Sequence, residues 1–173
     1  GEISSNMLRE AGCKWVIVGH SERRSIMNET DDVINQKLLR VISSNLNPIL
    51  CIGEDMIERN DGKTKNVLRK QLKDAFSNID RLDLDGIIIA YEPVWAIGTG
   101  ISATGEMIEE AHSEIRAIVS DEGLDGASIS ILYGGSVSEK NVKFLSGIRG
   151  LDGFLIGSAS LDVDKFYSIY NKL

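Results

Sequence analysis

Glu92 closes one of the most apolar runs of the chain, Ile87-Ile88-Ile89-Ala90-Tyr91, and Pro93 follows it at once. A carboxylate in that position is costly to ionise unless something pairs with it. Desolvation moves its pKa up, toward the range of a working general base. A rim carboxylate held in an ion pair is the bland alternative. The residues behind Glu92 favour chemistry: Pro93 fixes the chain, Val94, Trp95, Ala96 and Ile97 make an apolar cap, and Gly98, Thr99, Gly100 and Ala103 supply small, rotatable backbone. That is the composition of a hinged lid that excludes water from a reacting group. Trp95 and Ile97 are expected exposed at its tip.

His20 ends a second buried run, Trp15-Val16-Ile17-Val18-Gly19, and Ser21-Glu22 should open a short helix there. A helix N-terminus lowers an imidazole's pKa and favours the neutral ring, which can donate to a carbonyl oxygen. A core histidine bonded to backbone is the alternative. Ser21 and Glu22 read as groups supporting His20, with a plain helix-start acid as the other reading of Glu22. Arg23 and Arg24 read as ion-pair partners across the rim. The other histidine, His112, sits among Glu109, Glu110 and Glu114 and is expected to be a solvated or partly packed helical residue.

Two glycine-serine turns complete the polar set. Tyr133-Gly134-Gly135-Ser136 and Gly157-Ser158 follow the last two apolar runs, where small residues let backbone amides point at a phosphate. Either turn alone also suits a plain tight turn. Beside the lid glycine Gly98, the pair becomes a phosphate-binding candidate. No HExxH, CxxC or calcium-loop spacing marks a metal site, and Gly98-Thr99-Gly100 lacks the following helix of a nucleotide loop.

The elements that must position these groups are legible as short apolar runs bounded by glycine or polar turns: 15–18, 49–52, 87–91, 129–132 and 154–156. They read as buried strands. Between them lie helical stripes. One comprises Val33, Ile34, Leu38, Val41 and Ile42; the next, Leu68, Leu72, Ala75, Phe76 and Ile79; a third, Ile108, Ala111, Ile115, Ile118 and Val119; the last, Phe166, Ile169, Tyr170 and Leu173. Thr30, Thr104 and Ser138 are the expected N-caps. Buried strands alternating with amphipathic helices imply right-handed crossovers and a parallel sheet. One leading helix and five strand-helix units form a single domain over 1–173. Pattern alone leaves open a doubly wound sheet or part of an eight-stranded barrel.

Composition sets the outer limits. The chain has 173 residues, 42% of them hydrophobic, enough to bury a core. A formal net charge of -7 argues against nucleic acid or anionic lipid as partners, since both need clustered cations. Cys13 and Cys51 each lie in an apolar stretch and suit buried free thiols, with the cytoplasm as the default compartment. No run approaches the roughly 18 apolar residues of a membrane span.

The run from Trp15 through His20-Ser21-Glu22-Arg23-Arg24, the Cys51-Ile52-Gly53-Glu54 segment, Ala90 to Gly100, Tyr133 to Ser136 and Gly153 to Gly157 resemble the triosephosphate isomerase family, in order and spacing. The resemblance runs from Gly1 to Leu173. It implies a (β/α)8 barrel, of which this chain holds one leading helix and the last five strand-helix units. It also implies a glycolytic and gluconeogenic isomerase that interconverts dihydroxyacetone phosphate and glyceraldehyde 3-phosphate without a cofactor. By that resemblance Glu92 is the proton acceptor and His20 the electrophile. Gly98, Ser136, Gly157 and Ser158 hold the substrate phosphate, chiefly through amides, and the complete protein is a homodimer.

Two departures stand out: Gly157-Ser158 where the family usually has Gly-Gly, and Ile101-Ser102-Ala103 where Lys-Thr-Ala is common. A barrel of this class runs to about 250 residues, so roughly 75 more, three strands and two helices, are expected ahead of Gly1. In the family that portion carries an Asn-x-Lys whose ammonium neutralises substrate charge. The 173-residue chain by itself is therefore expected to be poorly stable and nearly inactive. The competing reading is a catalytically inactive fragment or open-sheet protein that binds small phosphates through the same turns. Another phosphate-binding barrel enzyme would share the late glycine turns without the lid run.

Overall fold

The computed structural model describes residues 2–97 and 102–173. Five strands form one parallel sheet in chain order: β1 (Trp15–Val18), β2 (Asn47–Ile52), β3 (Ile88–Tyr91), β4 (Ser130–Tyr133) and β5 (Gly153–Phe154). Sequential parallel neighbours, each joined through helical crossovers, are the strand order of a barrel wall and not of a doubly wound sheet, whose order reverses at a switch point. The register is continuous across the middle of the sheet: Leu50 lies opposite Val18 on one side and Ile89 on the other, and Ile89 opposite Ile131.

The helices are α1 (Ser5–Glu10), α2 (Ser21–Ile26), α3 (Asp31–Ser43), α4 (Met56–Asn60), α5 (Thr64–Ala75), α6 (Gly105–Asp121), α7 (Val142–Leu145) and α8 (Val163–Tyr170). Among the described residues, none of them is long and apolar enough to cross a membrane. The stripes read from sequence form the core between helices and sheet. Ile34, Leu38, Leu68, Leu72, Ile108, Ile115 and Ile118 pack with Leu50, Ile89 and Ile131, all fully buried. Thr30 and Thr104 cap α3 and α6 through their side-chain oxygens, as expected.

Several local expectations are corrected. The strand expected over 154–156 is two residues, Gly153–Phe154, and β2 begins at Asn47, ahead of the expected Ile49. Ser138 does not cap a helix. Its amide donates to Asn141 Oδ1 at 2.8 Å, and α7 starts only at Val142, because the Asn141 side chain folds back to close a turn first. Of the last stripe only Ile169 is buried, while Phe166, Tyr170 and Leu173 are exposed. Cys51 is buried but Cys13 is half-buried, and both are free thiols.

His112 is the clearest correction. It is buried, because it lies on the same α6 stripe as Ile108 and Ile115, and its polarity is met by a contact from Nδ1 to the Gly150 carbonyl at 3.1 Å. Its ring sits edge-on to Tyr91, with centroids 5.9 Å apart. Nδ1 therefore carries the proton, and Nε2 has no hydrogen-bond partner among the described residues.

Candidate active site

β1 delivers His20, two residues past Val18, and β3 delivers Glu92, the residue after Tyr91. His20 is the N-cap of α2, and its Nδ1 accepts the Glu22 amide at 3.4 Å. A ring nitrogen that accepts a backbone N–H carries no proton, so the proton is placed on Nε2. Nε2 lies 3.0 Å from Glu92 Oε1. The other carboxylate oxygen, Oε2, accepts the buried Ser21 amide at 2.9 Å, the first amide of α2. Each oxygen of an almost fully buried carboxylate thus has a donor, and the Ser21 amide is the positive end of a helix.

The His20 pKa is raised, first by its hydrogen bond to Glu92 and further by the charges of Glu92 and Glu22, against a lowering by burial. Sequence reasoning expected the opposite direction from the helix terminus. The facing carboxylate outweighs that influence because it is in direct contact. Glu22 is exposed at the start of α2 and touches His20 through its backbone amide. Ser21 is buried and bonds Glu92 directly.

Backbone contacts fix the base from below. The Glu92 amide donates to Ile52 O at 2.7 Å and the Val94 amide to Glu54 O at 3.0 Å, extending the β2–β3 pairing beyond the strands. Gly53, between these two acceptors, has no room for a side chain, since a Cβ would meet Glu92 O at 1.8 Å. Gly134 closes the other flank. Its amide bonds Tyr91 O at 2.8 Å, and a Cβ there would lie 2.8 Å from Glu92 Cγ.

The lid's leading end differs from expectation. Trp95 is buried, not exposed at a tip, and Ile97 is half-buried. Val94–Ala96 form a short 3-10 turn. The reason is Glu54, which the sequence offers only as the end of the Cys51-Ile52-Gly53-Glu54 segment. It is fully buried, and its Oε1 accepts from Trp95 Nε1 at 3.1 Å, Tyr91 Oη at 3.0 Å and Arg59 at 3.2 Å. Arg59 also lies over the Trp95 ring, 5.5 Å from its centroid. The signal was present: an acid between a buried strand and a helix carrying Arg59 needs an ionic partner. Pro93 and Ala96 are buried and Val94 half-buried, while Gly98, Thr99 and Gly100 lie outside the described residues.

The glycine-serine turns stand at the ends of the paired strands β4 and β5. Ser136 is half-buried, its carbonyl accepting from the Asn141 side chain at 3.0 Å. Gly157 and Ser158 are exposed, and Gly157 O accepts the Ser160 amide at 2.9 Å to start a 3-10 turn. Arg23 and Arg24 are ion-pair partners as read. Arg23 bonds Glu29 at 2.6 Å, and Arg24 bonds Asp31 at 2.7 Å.

A buried carboxylate facing a histidine, both rooted at the same end of a sequentially ordered parallel sheet, has the chemistry that proton transfer requires. Comparison with known proteins narrows it. The family model described as Triosephosphate isomerase matches residues 1–173. The chain belongs to the triosephosphate isomerase family. It is 47% identical over 171 residues to the triosephosphate isomerase of Chloroherpeton thalassium, covering 98% of this chain and 68% of that protein. The Fusobacterium nucleatum enzyme gives the same figures. The Geobacter metallireducens enzyme is 47% identical over 173 residues, covering 99% of this chain and 69% of its own length. The five-stranded parallel sheet is correspondingly part of the family's α/β barrel.

Proposed function

We propose that this chain interconverts dihydroxyacetone phosphate and glyceraldehyde 3-phosphate, with Glu92 as the base and His20 as the electrophile. The observation that carries the reading is the 3.0 Å contact between Glu92 Oε1 and His20 Nε2, with Oε2 anchored on the Ser21 amide. Family membership supplies the substrate class. The geometry supports how the residues divide the work.

Substrate entering between the two side chains exchanges their mutual hydrogen bond for bonds to itself. His20 Nε2–H then donates to a substrate oxygen, and its Nδ1 stays fixed by the Glu22 amide. Loss of the carboxylate contact also removes the main cause of the raised His20 pKa, so the ring acts as a neutral donor. Glu92 takes a proton from carbon 1, and the C–H electron pair forms the C1–C2 double bond. The C2 carbonyl oxygen takes the His20 Nε2 proton, giving the enediol through an enediolate. The O1 hydroxyl then returns a proton to Nε2 and becomes the C1 carbonyl, while the C1–C2 double-bond pair takes the Glu92 proton to form the C2–H bond. Atoms and electrons balance within the substrate and these two side chains.

Ser136, Gly157 and Ser158 are the proposed phosphate contacts, from the ends of β4 and β5, together with Gly98. The segment from Pro93 through Gly100 is proposed as the lid, its leading end seated by Trp95 on Glu54. Covering the site keeps the enediol phosphate from losing its phosphate to water. A homodimer, a cytoplasmic location and a single domain over 1–173 belong to the same proposal. So does weak turnover by the chain alone, because among the described residues no strand pairs with the outer edges of β1 and β5.

The test is Glu92→Asp in a steady-state isomerase assay. Withdrawing the carboxylate by one methylene should lower kcat about 100-fold, the usual cost of a ~1 Å misplacement, with KM nearly unchanged. A kcat within threefold of the parent would refute the assignment of the base.

A further inference from the structure

Gln71 lies on α5, away from the reacting groups, yet its side-chain amide closes on both backbone groups of Gly53. Oε1 accepts the Gly53 amide at 2.9 Å, and Nε2 donates to the Gly53 carbonyl at 3.1 Å. The need for this clamp follows from the register. β1 pairs with β2 only as far as Val18 and Leu50, so beyond that point β2 has lost its neighbour on one side. The next group facing that way, Cys51 O, is taken by Arg24 Nη2 at 3.3 Å. Gly53 comes next, and Gln71 takes both its donor and its acceptor. A carboxylate could only accept there and an ammonium only donate; a primary amide does both.

On the other side of the same strand end, Ile52 O and Glu54 O receive the Glu92 and Val94 amides. Glu92 O rests so closely on Gly53 that no atom fits between them. The chain of contacts therefore runs from Gln71 to Gly53 to the backbone of Glu92, without a flexible link.

We propose that Gln71 is a positioning residue for Glu92. It holds the Gly53 peptide in register after β1 has diverged, and Gly53 sets the height of the Glu92 backbone relative to His20. The inference rests on Glu92 acting as the base, as proposed above.

The experiment compares the full chain carrying Gln71→Met, similar in length but unable to make either bond, with Gln71→Glu, which can only accept. Glu92→Gln is run alongside. Three quantities are measured: kcat and KM per folded protein, thermal midpoint, and the His20 imidazole titration by NMR. Q71M should lower kcat at least tenfold with KM within twofold, and shift the His20 titration downward as its contact with Glu92 loosens. Q71E should fall between Q71M and the parent. A lowered midpoint with kcat and the His20 titration unchanged would mean that Gln71 merely ties α5 to the sheet, and would overturn the proposal. If Q71M fails to fold, Q71E carries the same comparison. An inactive E92Q beside a fully active Q71M sinks this inference alone, whereas an active E92Q removes the base assignment beneath it.

Discussion

The imidazole of His20 and the carboxylate of Glu92 meet at 3.0 Å from the ends of two strands that are not neighbours, β1 and β3. Each is held on its far side by α2: the Glu22 amide on His20 Nδ1 and the Ser21 amide on Glu92 Oε2. One helix N-terminus therefore orients both partners, and the pair behaves as a unit.

The first prediction concerns that unit's charge. The His20 pKa is raised chiefly by Glu92, so any stability its protonation lends is present below about pH 6.5 and is lost as pH rises through the raised folded value. Glu92→Gln removes the carboxylate charge. The His20 C–H resonances should then titrate at lower pH than in the parent; an unchanged or higher midpoint would contradict the geometry.

His112 gives an opposite pH signature. Burial pushes its pKa down to about 4, so the folded state disfavours its charged form. Its contribution is fully present above about pH 6.5 and is lost as pH falls from there through about 4, amounting to about 3 kcal/mol. Acid unfolding of His112→Gln, followed by circular dichroism, should show a visibly flatter dependence of stability on pH between 6.5 and 4. An identical dependence would show that another group carries the acid response.

Glu54 and Arg59 test the seat of the lid. Arg59→Ala leaves a fully buried carboxylate with only neutral donors, which should destabilise the fold by about 3–5 kcal/mol. The Trp95 emission should shift as well, because Arg59 no longer covers its ring. A loss below 1 kcal/mol in chemical denaturation would mean that Tyr91 and Trp95 satisfy Glu54 unaided.

Gly134→Ala probes the flank of the base. The new methyl would lie 2.8 Å from Glu92 Cγ, and the side chain must move to admit it. Steady-state kinetics should show kcat reduced at least tenfold, with the thermal midpoint falling only a few degrees. Retained kcat would mean that Glu92 has slack that the packing does not show.

Much of this arrangement was legible in the residues because each chemical group follows a short apolar strand. Glu92 after Ile87–Tyr91 and His20 after Trp15–Val18 could be placed at one end of a parallel sheet by period and spacing alone. Glu54 was visible as a polar residue after β2, but its three donors come from Tyr91, Trp95 and Arg59, dispersed over 37 residues. Such a convergence is a tertiary fact. Trp95 was misplaced for the same reason: glycines nearby suggested an exposed tip, and the indole's partner could not be seen. His112 was misread through its acidic sequence neighbours, although its spacing from Ile108 and Ile115 already put it on the buried face. Gln71 has no local signal, since an amide on a helix becomes informative only once the loss of β1's pairing exposes Gly53.

The most direct measurement is deuterium incorporation at carbon 1 of dihydroxyacetone phosphate in heavy water, followed by NMR for the full chain and for Glu92→Gln. Accumulation over hours registers even slow turnover. Exchange by the parent chain is expected, with a loss of at least a thousandfold in the variant. Equal exchange in the two proteins, or none in the folded parent, would contradict the role of Glu92 as the base.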